Sequence, residues 1–171
     1  MKETAIISPP PYAGTDPAIV EPVFFDFEAD FVEDNVRCIP MIVRFKLDAC
    51  GIKLKLQEWN RMSAEERKLL SELACASHTE IIYYRHYLQQ LVKKYTGAVA
   101  TDIPVDANAA WADTAAIPVL LEKKSAEFGW QFSLQQWQTL NNLQRFVLLK
   151  LCRPGHENRN FPKAVKEFGL V

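Results

Sequence analysis

The chain contains the stretch that decides its fold twice: IPMIVRFKLDACGIKLKLQEWNRMSAEERKLLSEL at residues 39–73 and IPVLLEKKSAEFGWQFSLQQWQTLNNLQRFVLLKL at residues 117–151. The two copies are offset by 78 residues and share ten identical positions. Most of these positions hold residues that set turns and packing, and no histidine, cysteine or carboxylate recurs. The repeat therefore predicts architecture and not chemistry. The recurring residues in the first copy are Ile39, Pro40, Lys46, Gly51, Leu56, Gln57, Trp59, Arg67, Leu70 and Leu73.

Each copy has the pattern of a helix, a short strand and a second helix. Pro40 suits the first turn of a helix, and Gly51 suits a left-handed residue at its end. Apolar and polar residues then alternate over residues 52–56, and again over residues 130–134, which predicts two short strands that pair as a ribbon. We therefore predict a mainly α-helical fold, formed by two helix–short strand–helix units related by a pseudo-two-fold axis.

The residues before the first copy of the repeat and between the two copies determine the rest of the predicted domain organisation. Residues 1–23 are rich in proline, which favours extended backbone, and we expect a flexible or surface-draped arm. Residues 24–171 are predicted to form a single helical domain. It begins with a short edge strand or an extended packing segment over residues 24–31, where phenylalanine alternates with acidic residues. Residues 98–116 show no clear period and are predicted to be a connector.

Three further helix signals are local. Ser63 and Glu66 form a capping box at the start of a helix. An apolar stripe predicts a long helix that opens at Thr79 and ends before Gly97. A proline in its first turn predicts a final short helix over residues 162–168.

The composition argues against several classes of partner. Lys and Arg number 20 and Asp and Glu number 21, so the net charge of −1 offers no general attraction to nucleic acid or to anionic lipid. The first residues lack the apolar core of a secretion signal, and no segment approaches a membrane span. We therefore predict a cytoplasmic protein with reduced thiols that binds neither nucleic acid nor membrane.

No pattern in the chain predicts a metal, a cofactor or a catalytic group. The four cysteines form no C-x-x-C pair, and the residues around Gly51 and Gly129 lack the carboxylates of a calcium loop. Cys38, which lies next to Arg37 and just before a helix, is the only candidate nucleophile, but no histidine follows nearby. The acidic residues at 26–34 alternate with phenylalanine, so a polar face is favoured over paired catalytic carboxylates. We predict a non-enzyme.

The C-terminal segment carries an unusual density of hydrogen-bonding side chains: Arg153, His156, Asn158, Arg159 and Asn160 lie within eight positions. One interpretation is structural, with these side chains capping helices and pairing with the acidic segment. In particular, Glu28 or Asp30 is expected to pair with Arg37, Arg44 or Arg159. The other interpretation is a binding surface for a partner or a ligand.

Several strings together resemble the nitrate reductase-associated protein family of bacteria. They are FEADFV at 27–32, RCIPM at 37–41, Arg44, KLD at 46–48, Gly51, KL at 53–54 and GHENRNF at 155–161. The resemblance covers about residues 24–170. It implies a small soluble protein encoded beside genes for assimilatory nitrate reductase and molybdopterin cofactor synthesis. It brings no catalytic residues and no established activity.

Two functional hypotheses follow. The first is a non-catalytic accessory protein of nitrate assimilation that binds nitrate reductase or a molybdenum-cofactor protein. The second is a small-molecule domain whose arginines and histidine hold an oxyanion such as nitrate, nitrite or a pterin phosphate. The candidate partner-binding or anion-binding residues are Arg37, Arg44, Arg153, His156, Asn158, Arg159 and Asn160.

Overall fold

The computed structural model describes residues 17–29 and 38–171. These residues form two compact units. Unit 1 comprises residues 17–24 and 38–105, and unit 2 comprises residues 25–29 and 106–171. Each unit contains one copy of the repeat, and the backbone of both is mainly helical, as predicted. That the two units fold as a single domain stays a prediction.

Unit 1 is a small helical unit that includes one two-stranded ribbon. Its elements are α1 (Met41–Cys50), β1 (Ile52–Lys53), α2 (Leu56–Arg61), α3 (Ala64–Glu72), α4 (His78–Thr96) and β2 (Thr101–Asp102). The long helix α4 packs on α1 and α2, and β1 pairs antiparallel with β2. The core lies between these helices and includes the fully buried side chains of Val43, Trp59, Leu70, Tyr84 and Leu88.

The predicted helix boundaries in unit 1 rest on local chemistry. Ser63 caps α3, and its hydroxyl accepts the backbone N–H of Glu66 at 3.1 Å. Helix α4 begins one residue before the predicted Thr79 and ends, as predicted, before Gly97, whose φ of 79° is left-handed.

Residues 17–20 lie along the segment that leaves α3. The backbone N–H of Val20 donates to the Glu72 carbonyl at 2.8 Å, and that of Ala74 donates to the Ala18 carbonyl at 2.9 Å. The side chains of Ile19 and Val20 are exposed. The described end of the predicted arm therefore lies on the surface of unit 1, and its first 16 residues lie outside the described range.

Unit 2 consists of shorter helices. Its elements are a first 3-10 helix (Asp26–Glu28), α5 (Val119–Ala126), α6 (Leu134–Thr139), α7 (Asn142–Leu151), a second 3-10 helix (His156–Asn160) and α8 (Phe161–Glu167). Helix α8 packs on α7 and on both 3-10 helices, and α5 packs on α7. The side chains of Trp137, Phe146, Leu148, Phe161 and Val165 are fully buried.

The two copies of the repeat agree in local structure. Helices α2 and α6 correspond residue for residue at the offset of 78. Trp59 and Trp137 are both fully buried, and Gly51 and Gly129 have φ of 69° and 72°. The recurring glycine and tryptophan therefore perform the same local tasks in both units. The pseudo-two-fold axis stays a prediction.

The predicted ribbon between the two alternating runs is wrong. β1 pairs with β2, which lies in the predicted connector, and residues 130–132 are neither helix nor strand. The reason is that a two-residue strand is determined by the segment that pairs with it. Ala-rich residues 98–116 gave no periodic signal for that segment.

The predicted strand over residues 24–31 is also wrong, because its described part forms the first 3-10 helix. The carboxylate of Glu167 accepts the backbone N–H of Asp26 at 2.8 Å and of Phe27 at 3.2 Å, and Glu28 accepts that of Phe25 at 3.2 Å. The rings of Phe25 and Phe27 stack at 5.5 Å, and Glu28 is buried rather than part of an exposed polar face. Residues 30–31 lie outside the described residues.

Candidate functional site

Four exposed cationic side chains lie on or next to the C-terminal elements of unit 2. Arg153 follows α7, Arg159 lies in the second 3-10 helix, and Lys163 and Lys166 lie on α8. All four are exposed, and the three elements pack against one another. We call these four residues the basic surface.

The local fold explains why the basic surface faces solvent. Helix α8 buries Phe161, Ala164 and Val165, so Lys163 and Lys166, three positions apart, share its opposite, exposed face. The turn after α7 is closed by the N–H of Arg153, which donates to the Lys150 carbonyl at 3.2 Å. The apolar face of α8 therefore places Lys163 and Lys166 on the exposed side of that helix.

The basic surface carries local positive charge that the chain as a whole lacks. Residues 150–167 contain five Lys and Arg side chains and two Glu side chains, whereas the net charge of the chain is −1. One of those carboxylates, that of Glu167, accepts the two N–H groups of the first 3-10 helix. The ion pairs between described residues include none of the four cations. They are therefore available to an anionic partner.

The structure places the predicted site residues in different environments. Arg153 and Arg159 are exposed, Asn158 is half-buried and Asn160 is buried. Arg44 lies in unit 1, where its Nε donates to the Ile39 carbonyl at 2.8 Å. Arg37 and the side chain of His156 lie outside the described residues.

These placements bear on both interpretations of the C-terminal segment. Arg153 and Arg159 are exposed, which does not favour an enclosed oxyanion site formed by them. The predicted ion pair of Arg159 with Glu28 is not formed between these two described residues, since Arg159 is in none of the ion pairs. Glu28 is buried, and its carboxylate accepts the backbone N–H of Phe25. That Glu28 or Asp30 pairs with Arg37 or Arg44 stays a prediction.

Lys163 and Lys166 were missed from the sequence. The density of polar side chains that marks the C-terminal segment ends at Asn160. The spacing of these lysines opposite Ala164 and Val165 is an amphipathic signal within the final predicted helix, and it places both lysines on one polar face.

Burial determines the chemistry of three cysteine thiols. It raises the pKa of Cys50 to about 11, of Cys75 to about 12 and of Cys152 to about 12. These thiols are therefore protonated near neutral pH and are weak nucleophiles. Within residues 17–29 and 38–171, no three His, Cys, Asp or Glu side chains are placed to hold a metal ion.

The lysine that recurs in the repeat has a structural partner in each unit. The Nζ of Lys46 donates to the carbonyls of Ser71 at 2.6 Å and Leu73 at 2.7 Å, at the C-terminal end of α3. Burial lowers the pKa of Lys46 to about 8, and its charge is placed at the negative end of that helix. Lys124 instead pairs with Glu127 at 2.5 Å.

A protein-family model described as conserved nitrate reductase-associated protein matches residues 24–168. No curated protein and no solved structure matches the chain. No helix of the described residues combines the length and apolar character needed to cross a bilayer.

Proposed function

The chain belongs to the conserved nitrate reductase-associated protein family, and from this premise we propose that it is a non-catalytic accessory protein of nitrate assimilation. It binds nitrate reductase, or a protein that supplies the reductase with its molybdenum cofactor. The binding face is the basic surface of unit 2.

The observation that carries this proposal is the group of four exposed cations without ion-pair partners among the described residues. Unpaired exposed charges contribute little to stability, but they attract an oppositely charged face over about 8 Å at physiological salt. Cationic and anionic faces that match also raise association rates and exclude wrong partners. The partner therefore presents an acidic patch to Arg153, Arg159, Lys163 and Lys166.

A non-catalytic role is supported by the engagement of the buried cations. Lys46 donates to two backbone carbonyls, and Arg145 donates to the carbonyls of Trp111 and Leu140. A general acid or an oxyanion-binding group must have free donors that point at a substrate. These two buried side chains stabilise helix ends and loops instead.

The test is recovery of partners from nitrate-grown cells with the tagged full-length chain. Wild type is compared with Arg159→Glu/Lys166→Glu, which reverses two charges of the basic surface, and with Lys53→Glu/Lys93→Glu, which reverses two exposed charges of unit 1. We expect wild type and the unit 1 control to recover nitrate reductase or a molybdenum-cofactor protein. The basic-surface variant should recover neither at an unchanged melting temperature. Equal recovery by all three chains would contradict the proposal.

A further inference from the structure

In unit 1, the residues that follow α1 are covered by an extended segment of the same chain. Ile52 and Lys53 pair antiparallel with Asp102 and Thr101, and the N–H of Ile103 donates to the Gly51 carbonyl at 2.9 Å. Helix α1, Gly51 and strand β1 thus form a motif that binds an extended segment of the same chain.

A side chain of α4 fixes that segment by its charge. The guanidinium of Arg85 donates from Nη1 to the carbonyls of Cys50 at 2.7 Å and Gly51 at 3.1 Å. From Nη2 it donates to the Asp102 carboxylate at 2.6 Å. The bound segment is therefore recognised by backbone pairing and by one carboxylate.

The same place in unit 2 is open among the described residues. A Cβ added to Gly51 would lie 2.9 Å from the Ile103 carbonyl oxygen and 3.0 Å from a methyl group of Val105, whereas a Cβ added to Gly129 would meet no atom of a described residue within 4 Å. The N–H groups of Gln131 and Phe132 donate to no backbone carbonyl of a described residue. We call residues 129–132 the open edge.

The apolar side chains of the open edge lack the cover that their counterparts have. Ile52 and Leu54 are buried in unit 1, whereas Trp130 and Phe132, 78 residues later, are only half-buried. Phe128, which precedes the edge, is 40% exposed, and its ring stacks on Trp130 at 4.9 Å. These rings form a partly exposed apolar surface beside two N–H groups that have no backbone acceptor among the described residues.

We propose that the open edge binds an extended segment of a partner protein by antiparallel strand addition, as β1 binds residues 101–103. The segment carries a carboxylate followed by an apolar residue, as Asp102 is followed by Ile103. We assign the cation for that carboxylate to Lys163, an exposed residue of α8 in the same unit. The site uses residues 129–132 and Lys163, and it does not require Arg153, Arg159 or Lys166.

The probe is a fluorescent peptide with the sequence of residues 99–106, VATDIPVD, titrated into the full-length chain and followed by anisotropy. Gly129→Asn keeps a residue that tolerates the left-handed conformation but places a side chain where the segment would lie. Gln131→Pro removes an N–H that faces the segment, and Gln131→Ala retains it. The Arg159→Glu/Lys166→Glu chain tests whether this site is independent of those two residues of the basic surface, with which it shares Lys163.

We expect saturable binding to wild type, to Gln131→Ala and to the Arg159→Glu/Lys166→Glu chain. Gly129→Asn and Gln131→Pro should bind about tenfold more weakly or not at all at an unchanged circular dichroism spectrum. A peptide with Lys in place of its first Asp should lose affinity. The proposal is overturned by the absence of saturable binding or by equal binding to all variants. It is also overturned if the backbone amide NMR signals that shift on addition of the peptide belong to residues 51–53. It is also overturned if the open edge is covered by a second copy of the chain in a dimer.

Discussion

Gly51 and Gly129 hold the same position in the two copies of the repeat and the same left-handed backbone, with φ of 69° and 72°, but only Gly51 is closely covered. The atom nearest to a Cβ at Gly51 would be the backbone oxygen of Ile103, at 2.9 Å. A backbone atom has little freedom to move aside. Substitutions at the two glycines therefore separate the cost of a left-handed backbone conformation from the cost of a steric clash with a neighbouring residue.

Alanine at the two glycines should destabilise the protein to different extents. Gly129→Ala is expected to cost about 1 kcal/mol, because only the left-handed conformation is strained. Gly51→Ala is expected to cost more than about 2 kcal/mol, because Ile103 must also shift. Urea unfolding of both variants measures the difference, and equal losses would show that residues 101–105 do not cover Gly51 as described.

Trp59 and Trp137 should be equivalent core residues. Both side chains are fully buried, so replacement of either by alanine is expected to lower the free energy of unfolding by roughly 3 kcal/mol. The half-buried Trp130 provides the matched control, and Trp130→Ala should cost less. An unchanged melting temperature for either core variant would rule out the packing role of that tryptophan.

The recurring arginine should matter in one unit more than in the other. Arg145 is 5% exposed and donates to the carbonyls of Trp111 and Leu140, whereas the buried Nε of Arg67 has no hydrogen-bond partner. Arg145→Met leaves buried acceptors unsatisfied and should cost roughly 3 kcal/mol, and Arg67→Met less than about 1 kcal/mol. Thermal unfolding of both variants measures the two losses of stability. The prediction is that Arg145→Met loses more than Arg67→Met.

Lys46 should give a pH-dependent term in stability. Its pKa is about 8 in the folded protein, below the ordinary 10.5, so the unfolded chain holds the extra proton between these values and stability rises with pH there. Between about pH 7 and pH 9, the free energy of unfolding of wild type should rise by on the order of 1 kcal/mol relative to that of Lys46→Met. The exposed Lys93→Met controls for the lost charge. A gap between wild type and Lys46→Met that stays constant or moves the other way would refute the lowered pKa.

Local signals account for what the sequence predicted correctly. The capping box of Ser63 and Glu66, the stop at Gly97 and the apolar stripe of α4 all lie within one or two turns of the helix that they define. They place helix boundaries because the interactions are between near neighbours in the chain. The fold class followed from these signals and from the repeat.

Distant contacts account for what the sequence did not predict. The first 3-10 helix is capped by Glu167, which follows Asp26 by 141 residues, and β2 is defined by its pairing with β1. No periodic pattern encodes such contacts, so the alternation over residues 24–31 predicts extended backbone where the structure has a 3-10 helix. The lysines of α8 differ, because their spacing opposite Ala164 and Val165 is a local signal that the density of polar groups over residues 153–160 does not include.

The measurement that tests the central claim most directly is titration of the purified chain with purified nitrate reductase and with the proteins that load its molybdenum cofactor. The proposal predicts saturable binding to at least one of them, a loss of affinity as salt rises, and a loss of about tenfold or more in Arg159→Glu/Lys166→Glu but not in Lys53→Glu/Lys93→Glu. Binding to none of them, or binding that neither salt nor reversal of the basic surface changes, would contradict it.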